Sequence, residues 1–176
     1  MSDREIGKRM IEEMVLEQLL ESLPCITGRT VTDEWEGSAD RAEGSPDFII
    51  GLDGRPFGIE LTEVRAASSA WHYFEEASRL AWQKHASYER RGLFRFPIAL
   101  GIHATTPALF DIRKELDGFN QEEFSQTGFA EVWAVDFSDA YYSSGHPLRL
   151  ADMYCFKPAA WFGFHRIGCG DRKPFG

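Results

Sequence analysis

The stretch PDFIIGLDGRPFGIELTEV, residues 46 to 64, limits what this chain can fold into more than any other. Two short apolar runs flank Asp53 and Gly54, and Asp-Gly in that setting predicts a two-residue β-hairpin, because both turn positions need a positive φ. Positions equidistant from the turn then face each other across the ladder. Phe48, Ile50, Phe57, Ile59 and Leu61 fall on one face, which is read as core. Asp47, Ile49, Gly51, Gly58, Glu60 and Thr62 fall on the other. Asp47 and Glu60 are opposed, with Cβ atoms expected roughly 5 Å apart. Two facing acids destabilise a sheet unless a positive charge lies between them. A divalent metal ion is the natural candidate.

The length of 176 residues, with 43% hydrophobic and 27% charged, predicts one globular domain spanning residues 1–176 rather than two domains or a disordered chain. Its core is read over residues 5–137, with a C-terminal extension at 138–176. The apolar stretches are of strand length and the first residues lack a signal-peptide pattern, so the expectation is a cytoplasmic protein with no membrane association. Cys25, Cys155 and Cys169 form no CxxC pair, which argues against a disulfide framework or structural zinc. The net charge of −9 has the wrong sign for a broad basic nucleic-acid face. Arg90, Arg91 and Arg95, or Arg166, Arg172 and Lys173, form local basic groups that are either phosphate contacts or solvated surface.

Residues 5 to 23 predict a helix ended by Pro24, with apolar positions around much of its circumference. Glu12 falls among Leu16, Leu19 and Leu23 on the wheel, while Glu13 and Glu17 lie on a mixed stripe. Residues 24 to 45 read as loop, with a short outer strand over 29 to 35. A long helix is predicted over 70 to 91, where Phe74, Ala77, Ala81, Lys84 and Tyr88 share a stripe and Ser68-Ser69 leads into the first turn. Lys84 on that stripe either snorkels to water or is held inward by a negative centre. Strands at 96–102 and 131–137 around a helix at 107–116 predict a parallel crossover, hence a mixed sheet covered on both faces. The tail AAWFGFHRIG reads as an edge strand, its aromatic residues capping the core or forming a partner surface. The five histidines form no HxxxH or HExxH, and phosphate-loop and GxSxG patterns are absent. His103, at the end of a strand, is either a satisfied histidine or part of a pocket lining. Trp71, Trp82 and Tyr88 serve core packing or base stacking.

The order helix, Pro46-Asp47 at a strand start, hairpin turn and Glu60-Leu61-Thr62 in the next strand resembles the PD-(D/E)xK nuclease superfamily. The resemblance covers about residues 5 to 137. It implies an α/β protein with the restriction-endonuclease-like three-layer α/β/α fold around a central mixed sheet. It further implies that Asp47, Glu60 and the main-chain carbonyl of Leu61 hold Mg²⁺ or Mn²⁺, with Glu12 added from the first helix. Thr62 stands where that family has its lysine, so Lys84 is the implied replacement, with Gln83 beside it. The implied function is a metal-dependent nuclease acting on nucleic acid, with a homodimer as the implied assembly. The alternative is a non-catalytic domain of that fold acting as a binding or protein-interaction module, which Thr62 and the net charge favour. In that case Asp47 caps a turn and Glu60 pairs with Lys84 or an arginine.

Overall fold

The computed structural model describes residues 3–27, 31–36, 45–65, 67–104, 122–136, 141–143, 146–149 and 152–157. The hairpin forms as its turn chemistry demands. β2 (Phe48–Leu52) and β3 (Arg55–Glu63) pair antiparallel from Phe48–Ile59 to Leu52–Arg55. Asp53 (φ 51°) and Gly54 (φ 74°) both take positive φ, the signature of the tight turn that matches strand twist. β1 (Val31–Glu36) joins the outer side of β2 with an irregular register.

On the other side, β3 runs parallel to β4 (Ile98–Ala104), and β4 parallel to β5 (Glu131–Asp136). β8 (Asp152–Lys157) closes the sheet antiparallel to β5, giving six strands in the order β1-β2-β3-β4-β5-β8. β6 (Tyr141–Ser143) and β7 (His146–Arg149) form a separate two-stranded ribbon. The helices are α1 (Asp3–Thr27), α2 (Ala70–Arg91) and the short α3 (Glu122–Ser125).

Strand alternation divides the core in two. Phe48, Ile50, Phe57, Ile59, Leu61, Ala99, Trp133 and Val135 pack with Val15 and Leu16 of α1. Ile98, Leu100, Ile102, Val132 and Ala134 face the opposite way, against Tyr73, Phe74, Ala77 and Ala81 of α2 and Phe124 of α3. Each sheet face therefore carries a helix. Every residue of β4 is buried, as a parallel strand covered on both sides requires. Tyr73 fixes α2 to the sheet by donating its buried hydroxyl to the Ile102 carbonyl at 2.7 Å.

Two elements depart from the expectation. α1 continues through Pro24 to Thr27. A proline lacks the backbone N–H, so the helix runs through Pro24 with one hydrogen bond fewer near its end. The sheet also extends past residue 137 through β8, whose Tyr154, Cys155 and Phe156 are buried. The helix expected at 107–116 and the tail AAWFGFHRIG lie outside the described residues. No helix among the described residues is long and apolar enough to cross a membrane.

Candidate functional site

α2 carries the groups that meet the acidic pair. Its start is capped by Ser69, whose side chain accepts the His72 N–H at 3.1 Å, and its end by Gly92 at φ 63°. With both ends fixed, Lys84 and Tyr88 stand one turn apart on the buried stripe, above β3. The Lys84 ammonium donates to Glu60 Oε1, and the Tyr88 hydroxyl donates to Glu60 Oε2. Lys84 therefore turns inward to a negative centre instead of snorkelling, although its side chain keeps 34% of its exposure. Glu60 itself is only 5% exposed.

Asp47 lies just before the first ladder pair of β2. Its Oδ2 accepts the Leu61 N–H at 2.7 Å, so the side chain supplies an acceptor to β3 where the β2 strand has not yet begun. Its charge also reaches Glu60. Burial is the main force raising the Glu60 pKa above its ordinary value of 4.5, and the Asp47 charge adds to it, while Lys84 and Tyr88 pull the other way. The desolvated carboxylate is thus only partly compensated by its donors.

A cavity of about 1090 Å³ opens at the carboxyl ends of β3 and β4, between α1 and α2. Ligands of α/β sheets commonly bind at that end of parallel strands. Lys84, Leu61 and Thr62 line it, whereas Asp47 and Glu60 do not. Three ion pairs also stand in its walls: Lys8–Glu12 at 3.3 Å, Arg65–Glu63 at 3.6 Å and Arg79–Glu76 at 2.8 Å. His103 completes the wall with 4% exposure, and its Nδ1 has no hydrogen-bond partner among the described residues. Burial pushes its pKa down to about 4, against the smaller upward pull of Glu63 and Asp47.

The residues expected to hold a metal, Asp47, Glu60, Leu61 and Glu12, have protein partners in this arrangement. Both Glu60 oxygens already accept protein donors, Asp47 Oδ2 is engaged by Leu61, and Glu12 pairs with Lys8. No group of three His, Cys, Asp or Glu side chains among the described residues is placed to hold a metal ion. The positive charge that the facing acids call for is the Lys84 ammonium. Two participants, Tyr88 and His103, do not stand out as site residues in the sequence. Tyr88 carries a usable signal, since it lies four residues beyond Lys84 on one stripe. His103 carries a weaker one, its place at the end of a buried strand, and the cavity it lines forms only when α1 and α2 close over the strand ends.

No family model and no curated protein matches the chain. A solved structure similar to it is a protein of unknown function from Pseudomonas aeruginosa strain PAO1, described as belonging to the monooxygenase superfamily. The two are 13% identical, the match covers 85% of this chain and 72% of that one, and the TM-score is 0.46. At that level the neighbour's description does not pass to this chain. The PD-(D/E)xK expectation is nonetheless corrected, since no family model, of nucleases or otherwise, matches the chain. The nuclease activity and its non-catalytic variant fall with it, and no observation supports nucleic acid or a second copy as partner. The physical reason is that the matched motif is local: a tight hairpin with an acid on each strand arises from turn chemistry and alternation alone. What stands is the coarser class, an α/β protein built on a mixed sheet.

Proposed function

We propose that the chain binds a small anionic molecule in the cleft at the ends of β3 and β4. Lys84 is the cation that meets it, and Glu60 is the buried acid that answers with a change of protonation. One observation carries this reading: Lys84 belongs both to the ion pair with Glu60 and to the cavity wall, so it joins a buried carboxylate to ligand space. An arriving anion shares the ammonium and weakens its hold on Glu60. The Glu60 pKa, already raised by burial and Asp47, climbs further and favours proton uptake, while Tyr88 keeps the carboxyl in place. The same arrangement equips proton transfer to the bound molecule, with Lys84 as the group in contact and Glu60 restoring the proton that Lys84 gives up.

Calorimetry with inorganic phosphate and oxalate, repeated in buffers of different ionisation heat, tests this directly. Saturable binding with net proton uptake is expected for the parent. Lys84→Met should weaken binding about tenfold or more, equivalent to roughly 1.4 kcal/mol. Glu60→Gln should bind without the proton. Binding by Lys84→Met as tight as the parent's sinks the proposal.

A further inference from the structure

His103 is a buried titratable group with no part in the contact between Lys84 and Glu60. Alternation along β4 sets it on the α1 face, away from that pair, yet it lines the same cavity. Its Nδ1 is enclosed and has no partner among the described residues. A buried imidazole nitrogen without a partner is costly, and elsewhere such a bond fixes which nitrogen carries the proton. Among the described residues nothing on the Nδ1 side fixes the tautomer, which leaves Nε2 able to serve as donor or acceptor. The low pKa keeps the ring neutral near pH 7, which preserves that choice. The lining that His103 and Lys84 share also includes Ile11, Leu61, Val64 and Leu80, an apolar surface.

We propose that His103 recognises a ligand hydroxyl, so that the cleft takes a hydroxy-carboxylate with an apolar body: carboxylate toward Lys84, hydroxyl toward the imidazole. A hydroxyl both donates and accepts, and so answers either tautomer, whereas a carbonyl answers only one. This rests on the anion-binding reading above, and the two fail in different ways.

The probes are benzoate and its meta- and para-hydroxy derivatives, titrated calorimetrically, with the His103 ring-nitrogen chemical shifts followed by NMR. At least one hydroxybenzoate should bind about tenfold tighter than benzoate and move the ring-nitrogen shifts, and benzoate should not move them. His103→Phe should abolish the preference, measured as the ratio of hydroxybenzoate to benzoate affinity in the same variant. His103→Gln, whose amide reaches a similar position, should restore part of it, which a packing role would not do. Equal binding of benzoate and its hydroxy derivatives, or a preference that survives His103→Phe, overturns the His103 assignment alone. Should His103→Phe fail to fold, the parent and a folded His103→Gln decide the matter: a preference absent from the parent, or undiminished ring-independent preference in His103→Gln, overturns the assignment. Failure of all these carboxylates to bind while phosphate still binds through Lys84 overturns this inference alone, and failure of phosphate and oxalate as well overturns both readings.

Discussion

Lys84 is the cation that two neighbouring acids share a need for, and its removal should therefore show in more than one measurement. Lys84→Met leaves Glu60 buried beside Asp47 with only Tyr88 as donor. Breaking a fully buried pair costs roughly 3–5 kcal/mol. Because a third of the Lys84 side chain meets water, about 1–2 kcal/mol is the fitting expectation for denaturant unfolding at pH 7. The same variant tests what compensates the acids. Without their ammonium the two should attract a divalent cation, so Mn²⁺ affinity by calorimetry should rise about tenfold over the parent and be lost again on adding Asp47→Asn. Unchanged Mn²⁺ affinity would show that Lys84 is not what compensates the pair. Tyr88→Phe is the uncharged counterpart, leaving Glu60 Oε2 without its donor at a comparable cost of roughly 1–3 kcal/mol.

At the scale of elements, legibility follows how local each determinant is. The β2–β3 register is readable because Asp53-Gly54 fixes it within a few residues, and α2 is readable to its ends because Ser69 and Gly92 are local caps. The choice between an outward and an inward Lys84 is not readable, since it depends on Glu60, which reaches α2 only through tertiary packing. β8 escapes for a similar reason: Asp152–Lys157 becomes a strand by pairing with β5, and no turn signal marks its partner. The hairpin makes one sharp prediction. Gly58 lies two residues before Glu60 on the same face, and a Cβ there would come to 3.0 Å from Ile98 Cγ1, Phe96 Cε2 and Pro46 Cγ. Gly58→Ala should destabilise by about 1–3 kcal/mol, with the denaturant midpoint lowered and the slope unchanged. A stability within about 0.5 kcal/mol of the parent, the usual range for neutral surface changes, would mean that these contacts relax freely.

For the whole molecule, the two buried titratable groups set opposing slopes of stability against pH. Glu60 has a raised pKa, so its contribution is complete below 4.5 and is lost as pH climbs through the raised value. His103 has a depressed pKa, so its contribution is complete above 6.5 and is lost as pH falls to about 4. The fall from 6.5 to about 4, at about 1.4 kcal/mol per pH unit, puts about 3.5 kcal/mol as the ceiling on the His103 effect. Urea unfolding from pH 7 to 4 should therefore show a loss in the parent that His103→Gln relieves, and Glu60→Gln should make that loss steeper by removing the opposing slope. The groups lie on opposite faces of the sheet, which favours additivity, but Asp47 raises the pKa of both. Asp47→Asn should then move both transitions to lower pH at once, one through each face of the sheet. If only the Glu60 transition moves, the field of Asp47 does not cross the sheet, and the cavity wall at His103 titrates independently of the acid pair.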